Sequence, residues 1–95
     1  MPRYASFVDV ADRNVQNAQE LASIWGEIQT EFEQQGVELE DSYAVLGRYD
    51  FIVIFETPDH DSTFTASLML HRHGLESETV EIMDTDDFAL IVDDL

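Results

Sequence analysis

Gly47, Tyr49 and Asp50 are the residues of this chain whose types and spacing best suit chemistry. They stand at the entrance to the apolar run Phe51-Ile52-Val53-Ile54-Phe55, which reads as a strand. Gly47 supplies the positive φ that a tight hairpin demands. Tyr49 offers a phenolic donor and Asp50 a carboxylate acceptor. Strand alternation puts Asp50 on the side of Ile52 and Ile54, and it is the only charge before Glu56. A carboxylate there is positioned to serve as a general base, and Gly47, Tyr49 and Asp50 form the candidate binding site. The competing reading, which carries more weight, has Asp50 holding the turn or pairing with Arg48 or another arginine. His71 is the other catalytic candidate. It falls at i+7 from Phe64, with Leu68 between them, on the expected apolar face of a helix. It would act as a base or a ligand, or more simply as a core or rim histidine bonded to a backbone carbonyl.

No metal site is expected. His71 and His73 are two residues apart and face different sides of a helix, whereas a two-histidine site prefers i, i+4. His60 between two aspartates is a helix start. The run Asp84-Thr85-Asp86-Asp87 lacks the glycine and terminal glutamate of a calcium loop, and its carboxylates suit a helix N-terminus. Neither a G-x-S-x-G elbow nor a glycine-rich phosphate loop occurs, so no cofactor is expected. Trp25, Phe32, Tyr43, Phe51 and Phe55 are spaced as core residues, with a small-molecule cavity as the alternative.

The elements that must position these residues alternate in type. Tyr4 to Val10 reads as a first strand, followed by a turn at Asp12-Arg13-Asn14 with Asn14 in a left-handed conformation. Leu21, Ile24, Trp25, Ile28 and Phe32 form one continuous helical face, with Asn17 as the cap and Gly36 as the stop. Val37 to Leu46 is a second strand with Val37, Leu39, Tyr43 and Val45 on one side, and Asp41 interrupts that side in the manner of a bulge. Tyr49 to Thr57 is the third strand. A second helix opens at Asp59 and closes at Gly74, Glu76 to Met83 is the fourth strand, and Asp84 or Thr85 caps a short last helix with the face Phe88, Ile91, Val92 and Leu95. The order β-α-β-β-α-β-α predicts an α+β fold, a ferredoxin-like βαββαβ sandwich with a short C-terminal helix and spatial strand order 4-1-3-2. One domain is expected over residues 1–95.

The third strand is apolar on both faces. Phe51, Val53 and Phe55 point one way, and Ile52 and Ile54 the other. A sheet covered on one side only alternates apolar with polar residues, so the second face calls for a cover. A second copy of the sheet would supply it, pairing into a dimeric α+β barrel; a monomer with a few exposed aliphatic residues is the plainer alternative.

Leu46-Gly47-Arg48-Tyr49-Asp50 resembles the G-x-Y-D signature of the GYD domain family. Glu56-Thr57-Pro58-Asp59 is similar to the acidic-Pro-Asp turn that follows the hydrophobic strand in that family, and Ser77-Glu78-Thr79 to its T-x-T segment, with Ser for the first Thr. Tyr4 through Asn17 looks like the family's first strand and loop, with Ala11 and Asn14 where Thr and Gly are usual. The resemblance spans almost the whole chain. It implies a dimeric α+β barrel and no particular activity.

Twenty-one carboxylates face four arginines, with no lysine, for a net charge of -17 on 95 residues. A small soluble domain usually carries about 2 to 8 charges in magnitude. Such a surface repels itself in dilute buffer, and at molar salt the Debye length of about 3 Å screens the repulsion. The expectation is a haloarchaeal-type acidic member of the family, working in the cytoplasm. A surface this negative is a poor partner for nucleic acid or anionic membrane. No cysteine is present to build a disulfide or a thiolate site. No run approaches a membrane span, and the first residues lack the apolar stretch of a signal peptide. The expected function is therefore a homo-oligomeric binding or assembly module whose partner is a second copy. The alternative is a small cofactor-independent enzyme, an isomerase or monooxygenase acting on a hydrophobic small molecule.

Overall fold

A computed structural model describes residues 2–11 and 18–95. The elements run β1 (Arg3–Val10), α1 (Ala18–Gln34), β2 (Glu38–Ala44), β3 (Phe51–Glu56), α2 (His60–Arg72), β4 (Leu75–Ile82) and α3 (Thr85–Asp93). All pairings are antiparallel and the strand order is β2-β3-β1-β4, the expected ferredoxin-like topology. The expected Asn17 cap and the turn at Asp12-Arg13-Asn14 lie outside the described residues.

The core lies between one face of the sheet and the two long helices. Tyr4 and Val8 of β1, Val53 and Phe55 of β3 and Leu75 of β4 pack on Ile28 and Phe32 of α1 and on Ala66, Met69 and Leu70 of α2. Phe32 meets the Phe55 ring edge-on at 5.6 Å, and Trp25 meets Phe51 at 5.0 Å. Helix α1 ends where Gly36 turns to φ 73° and Val37 donates back to the Phe32 carbonyl at 2.9 Å. Two buried hydroxyls sit inside this layer, and both are paired. Ser6 meets the Thr79 hydroxyl at 2.6 Å and Thr57 meets that of Thr63 at 2.7 Å, so neither carries an unmet desolvation cost.

Three expectations change. The sheet is open: β2 and β4 are its two edges and do not pair with each other. The expected dimeric α+β barrel is not borne out: the sheet stays open, without the closure a barrel requires. Second, the register between β2 and β3 shifts between Leu39 and Asp41. The extra residue, Glu40, inverts the phase of the strand, so Tyr43 and Asp41 pair with Ile52 and Ile54 on the face away from the helices, while Leu39 stays on the core side. Third, α2 buries Ala66, Met69 and Leu70, and the expected face of Phe64, Leu68 and His71 points outward, with Phe64 71% and Leu68 65% exposed. Both stripes have helical spacing; the small Ala66 lets α2 approach the sheet, and no other packed element covers Phe64.

Candidate functional site

Residues 45–50 link β2 to β3 at one end of the sheet, and β3 begins at Phe51 rather than at Tyr49. Gly47 adopts φ 146°, which side chains disfavour, and this lets the link fold back. Asp50 ties three segments together. Its N–H donates to the Val8 carbonyl at 2.9 Å, its own carbonyl accepts from the Val45 N–H at 2.9 Å, and its Oδ2 accepts from the Val10 N–H at 2.9 Å. The carboxylate thus holds the end of β1.

Tyr49 lies over the helix-free face of the sheet. Its ring packs on Phe7 with centroids 5.1 Å apart, and the Arg48 guanidinium sits 5.4 Å from the ring centre. Its hydroxyl donates to Glu78 Oε2 at 3.0 Å, across the sheet on β4. That hydrogen bond, with desolvation second, holds the phenol above its ordinary pKa. Tyr49 lines a cleft of about 230 Å³ with Phe7, Asp9, Arg48 and Glu78 among its walls. Ligand pockets usually begin at about 300 Å³. His71 is exposed and lines a different, larger groove beside Ser67, Leu68 and Leu75. Asp50 lines neither cleft. Gly47, Tyr49 and Asp50 are brought together in one link, and His71 stands apart from them.

The aromatic residues are divided as well. Phe32 and Phe55 are fully buried, and Trp25 and Phe51 pack on each other at the edge of the core. Tyr43 pairs with Ile52 on the other face. Among the described residues no group of three histidines, aspartates or glutamates is placed to hold a metal ion, and no helix is long and apolar enough to cross a membrane.

The helix-free face is the largest feature that sequence reasoning left unshaped. Register places Phe7 between Ile52 and Glu78, Ala5 between Ile54 and Val80, and Tyr43 beside Ile52. The apolar side chains among these form a strip across the sheet, buried at Ala5, half-buried at Phe7, Ile52 and Ile54 and open at Val80 and Tyr43. Carboxylates rim it, with Arg48 over Tyr49 beside Phe7 and Arg3 in a carboxylate cluster. Arg3 binds Glu40 at 3.0 Å, Asp84 at 3.2 Å and Glu56 at 3.9 Å. Glu56 is raised above the usual carboxylate range, first by its hydrogen bond to Glu40 and then by desolvation. Beyond Asp84, α3 packs against no other described element.

Sequence reasoning missed several of these partners: Glu78 and Phe7 around Tyr49, the Arg3 cluster, and His73, whose Nε2 lies 2.7 Å from Glu31 Oε2 and links α2 to α1. Each joins residues far apart in the chain, and only strand order or helix packing brings them together.

Residues 4–92 match the GYD domain family. Among solved structures, the leucine response regulatory protein LrpA of Mycobacterium tuberculosis superposes with a TM-score of 0.63 at 12% identity, over 87% of this chain and 51% of that one. The chain therefore spans about half the length of that protein. The SCO4226 protein of Streptomyces coelicolor A3(2) superposes with a TM-score of 0.56 at 15% identity, over 83% of this chain and 94% of that one. At such identities the likeness concerns the fold alone. No curated protein matches the chain.

Proposed function

The chain belongs to the GYD domain family, and we propose that it is a self-associating, non-catalytic binding module of a salt-adapted cytoplasm. The observation that carries this reading is the apolar strip on the helix-free face, Tyr43, Ile52, Ile54, Phe7 and Val80, left uncovered by the chain's own helices. Contiguous apolar patches of this kind mark interaction sites, and single exposed residues do not. A second copy is the partner that suits it. At net charge -17 the chain needs a partner that meets it through apolar area, in a medium where salt screens like charges and strengthens apolar burial. The placement of the polar candidates supports the same reading. Asp50 is bonded to Val10 and Tyr49 to Glu78, so both are engaged in holding strands together.

Light scattering in molar KCl is the test, with an expected mass of at least twice 10.9 kDa. Ile54→Asp should dissociate the assembly, because an unpaired carboxylate in a buried interface costs several kcal/mol. A monodisperse monomer of the wild-type chain at micromolar concentration would overturn the reading.

A further inference from the structure

We propose that α3 is an exchanged arm: its apolar face docks in the groove between α2 and the β4 edge of a second copy. This rests on the reading that the chain self-associates, and adds a second contact apart from the sheet face. The first observation is that α3 is built for burial and has none. Phe88 is 59%, Leu90 66%, Ile91 48% and Val92 47% exposed, and the helix packs on no other described element. It is 9 residues long. Isolated helices shorter than about 12–15 residues are marginal in water, so a helix of this length needs a surface to lie on.

The second observation is a receptor of matching form. A groove of about 580 Å³ runs along α2, lined by Ser67, Leu68, His71, Leu75, Glu76 and Ser77. Phe64, one turn before Leu68, extends its apolar wall. The face Phe88, Ile91 and Val92 of α3 is about 6 Å long at 1.5 Å per residue, and it fits within the stripe of about 10 Å from Phe64 to His71.

Charge favours a copy of this chain as the occupant. Helix α3 and its C-cap carry Asp86, Asp87, Asp93 and Asp94, with no base. The last turn of α2 carries His71 and Arg72 beside the groove. Arg72 reaches Glu31 at 3.4 Å and is still mostly exposed. Elsewhere among the described residues Arg3 is taken up by its carboxylates and Arg48 lies on Tyr49. The chain's own α3 is badly placed for the groove. It leaves the end of β4 opposite Leu75, about 23 Å away at 3.3 Å per residue, and the helix itself is only about 14 Å long.

The chain has no cysteine, so single thiols can report the contact. Full-length Leu68→Cys and Ile91→Cys chains are mixed in molar KCl, oxidised, and separated without reductant. A covalent heterodimer should form, and the pair Thr30→Cys with Ile91→Cys, whose first thiol lies on the exposed side of α1, should give at least tenfold less. Phe88→Asp should lower the yield at least tenfold as well. If no Leu68→Cys/Ile91→Cys product forms while light scattering still reports the wild-type assembly, the arm is refuted and the sheet contact stands. A wild-type monomer refutes both.

Discussion

At the scale of single residues, candidate site residues also connect distant segments. Asp50 accepts from the Val10 N–H at the end of β1, from a position 40 residues later in the chain. Asp50→Ala should leave that donor without its partner and lower stability by about 1 kcal/mol, whereas Asp50→Asn keeps an acceptor oxygen and should cost less. Urea denaturation in molar salt measures the difference. Two other carboxylates have opposite pH signatures. Asp59 caps α2 by accepting from the Ser62 N–H at 2.8 Å, and this bond pulls its pKa down. Its contribution is present above the unfolded aspartate pKa of about 3.9 and disappears as pH falls through the lower folded value. Glu56 is raised, so its contribution is complete below about 4.3 and is lost as pH rises through the folded value. Asp59→Asn should therefore weaken the fold at pH 7 and little at pH 2. Glu56→Gln should be at least as stable as the wild type at pH 7, and lose that advantage at low pH. Unfolding midpoints at fixed salt across pH 2 to 8 check both signs.

At the scale of elements, helix α1 carries a glycine where none is needed. Gly26 sits mid-helix, keeps an ordinary φ, and a side chain there would meet nothing within 4 Å. Gly26→Ala should raise stability by about 1 kcal/mol, the propensity difference between the two residues, since no contact opposes the added methyl. In a domain of this size that corresponds to about 4–8 °C in melting temperature, read by circular dichroism. An unchanged or lower melting temperature would mean that Gly26 serves a contact made outside the single chain. Strand β2 teaches a different lesson. One inserted residue, Glu40, moves Tyr43 from the core face to the open face without altering the pattern of residue types.

At the scale of the molecule, charge is the governing quantity. A net charge of -17 spread over a chain 50 Å in its longest extent places like charges within a Debye length of one another in dilute buffer. Few cations offset them, and Arg3 alone gathers Glu40, Glu56 and Asp84. The melting temperature should rise continuously from 0.1 M to molar KCl, as screening removes repulsion and salt strengthens apolar burial. A midpoint equal or higher at low salt would remove the case for a salt-adapted protein.

Periodicity and turn residues alone determined the order of elements, the stop at Gly36 and the two-faced character of Phe51 to Phe55, while the strand order β2-β3-β1-β4 was expected only by matching that element order to a ferredoxin-like topology. These are local properties, written in spacings of two and of three to four residues. The same signal was ambiguous wherever two solutions shared one period. Phe64-Leu68-His71 and Ala66-Met69-Leu70 both have helical spacing on α2, and only packing against the sheet decided which of them is buried. Motif residues were legible as a group but their roles were not. Tyr49 and Asp50 could be recognised as an unusual pair before an apolar strand, yet Val10 became a partner only when β3 came to lie beside β1, and Glu78 only when β4 took the other side of β1. The open sheet and the unpacked α3 belong to tertiary structure for the same reason. Whether a surface is covered depends on where every other element goes, and no window of sequence contains that information.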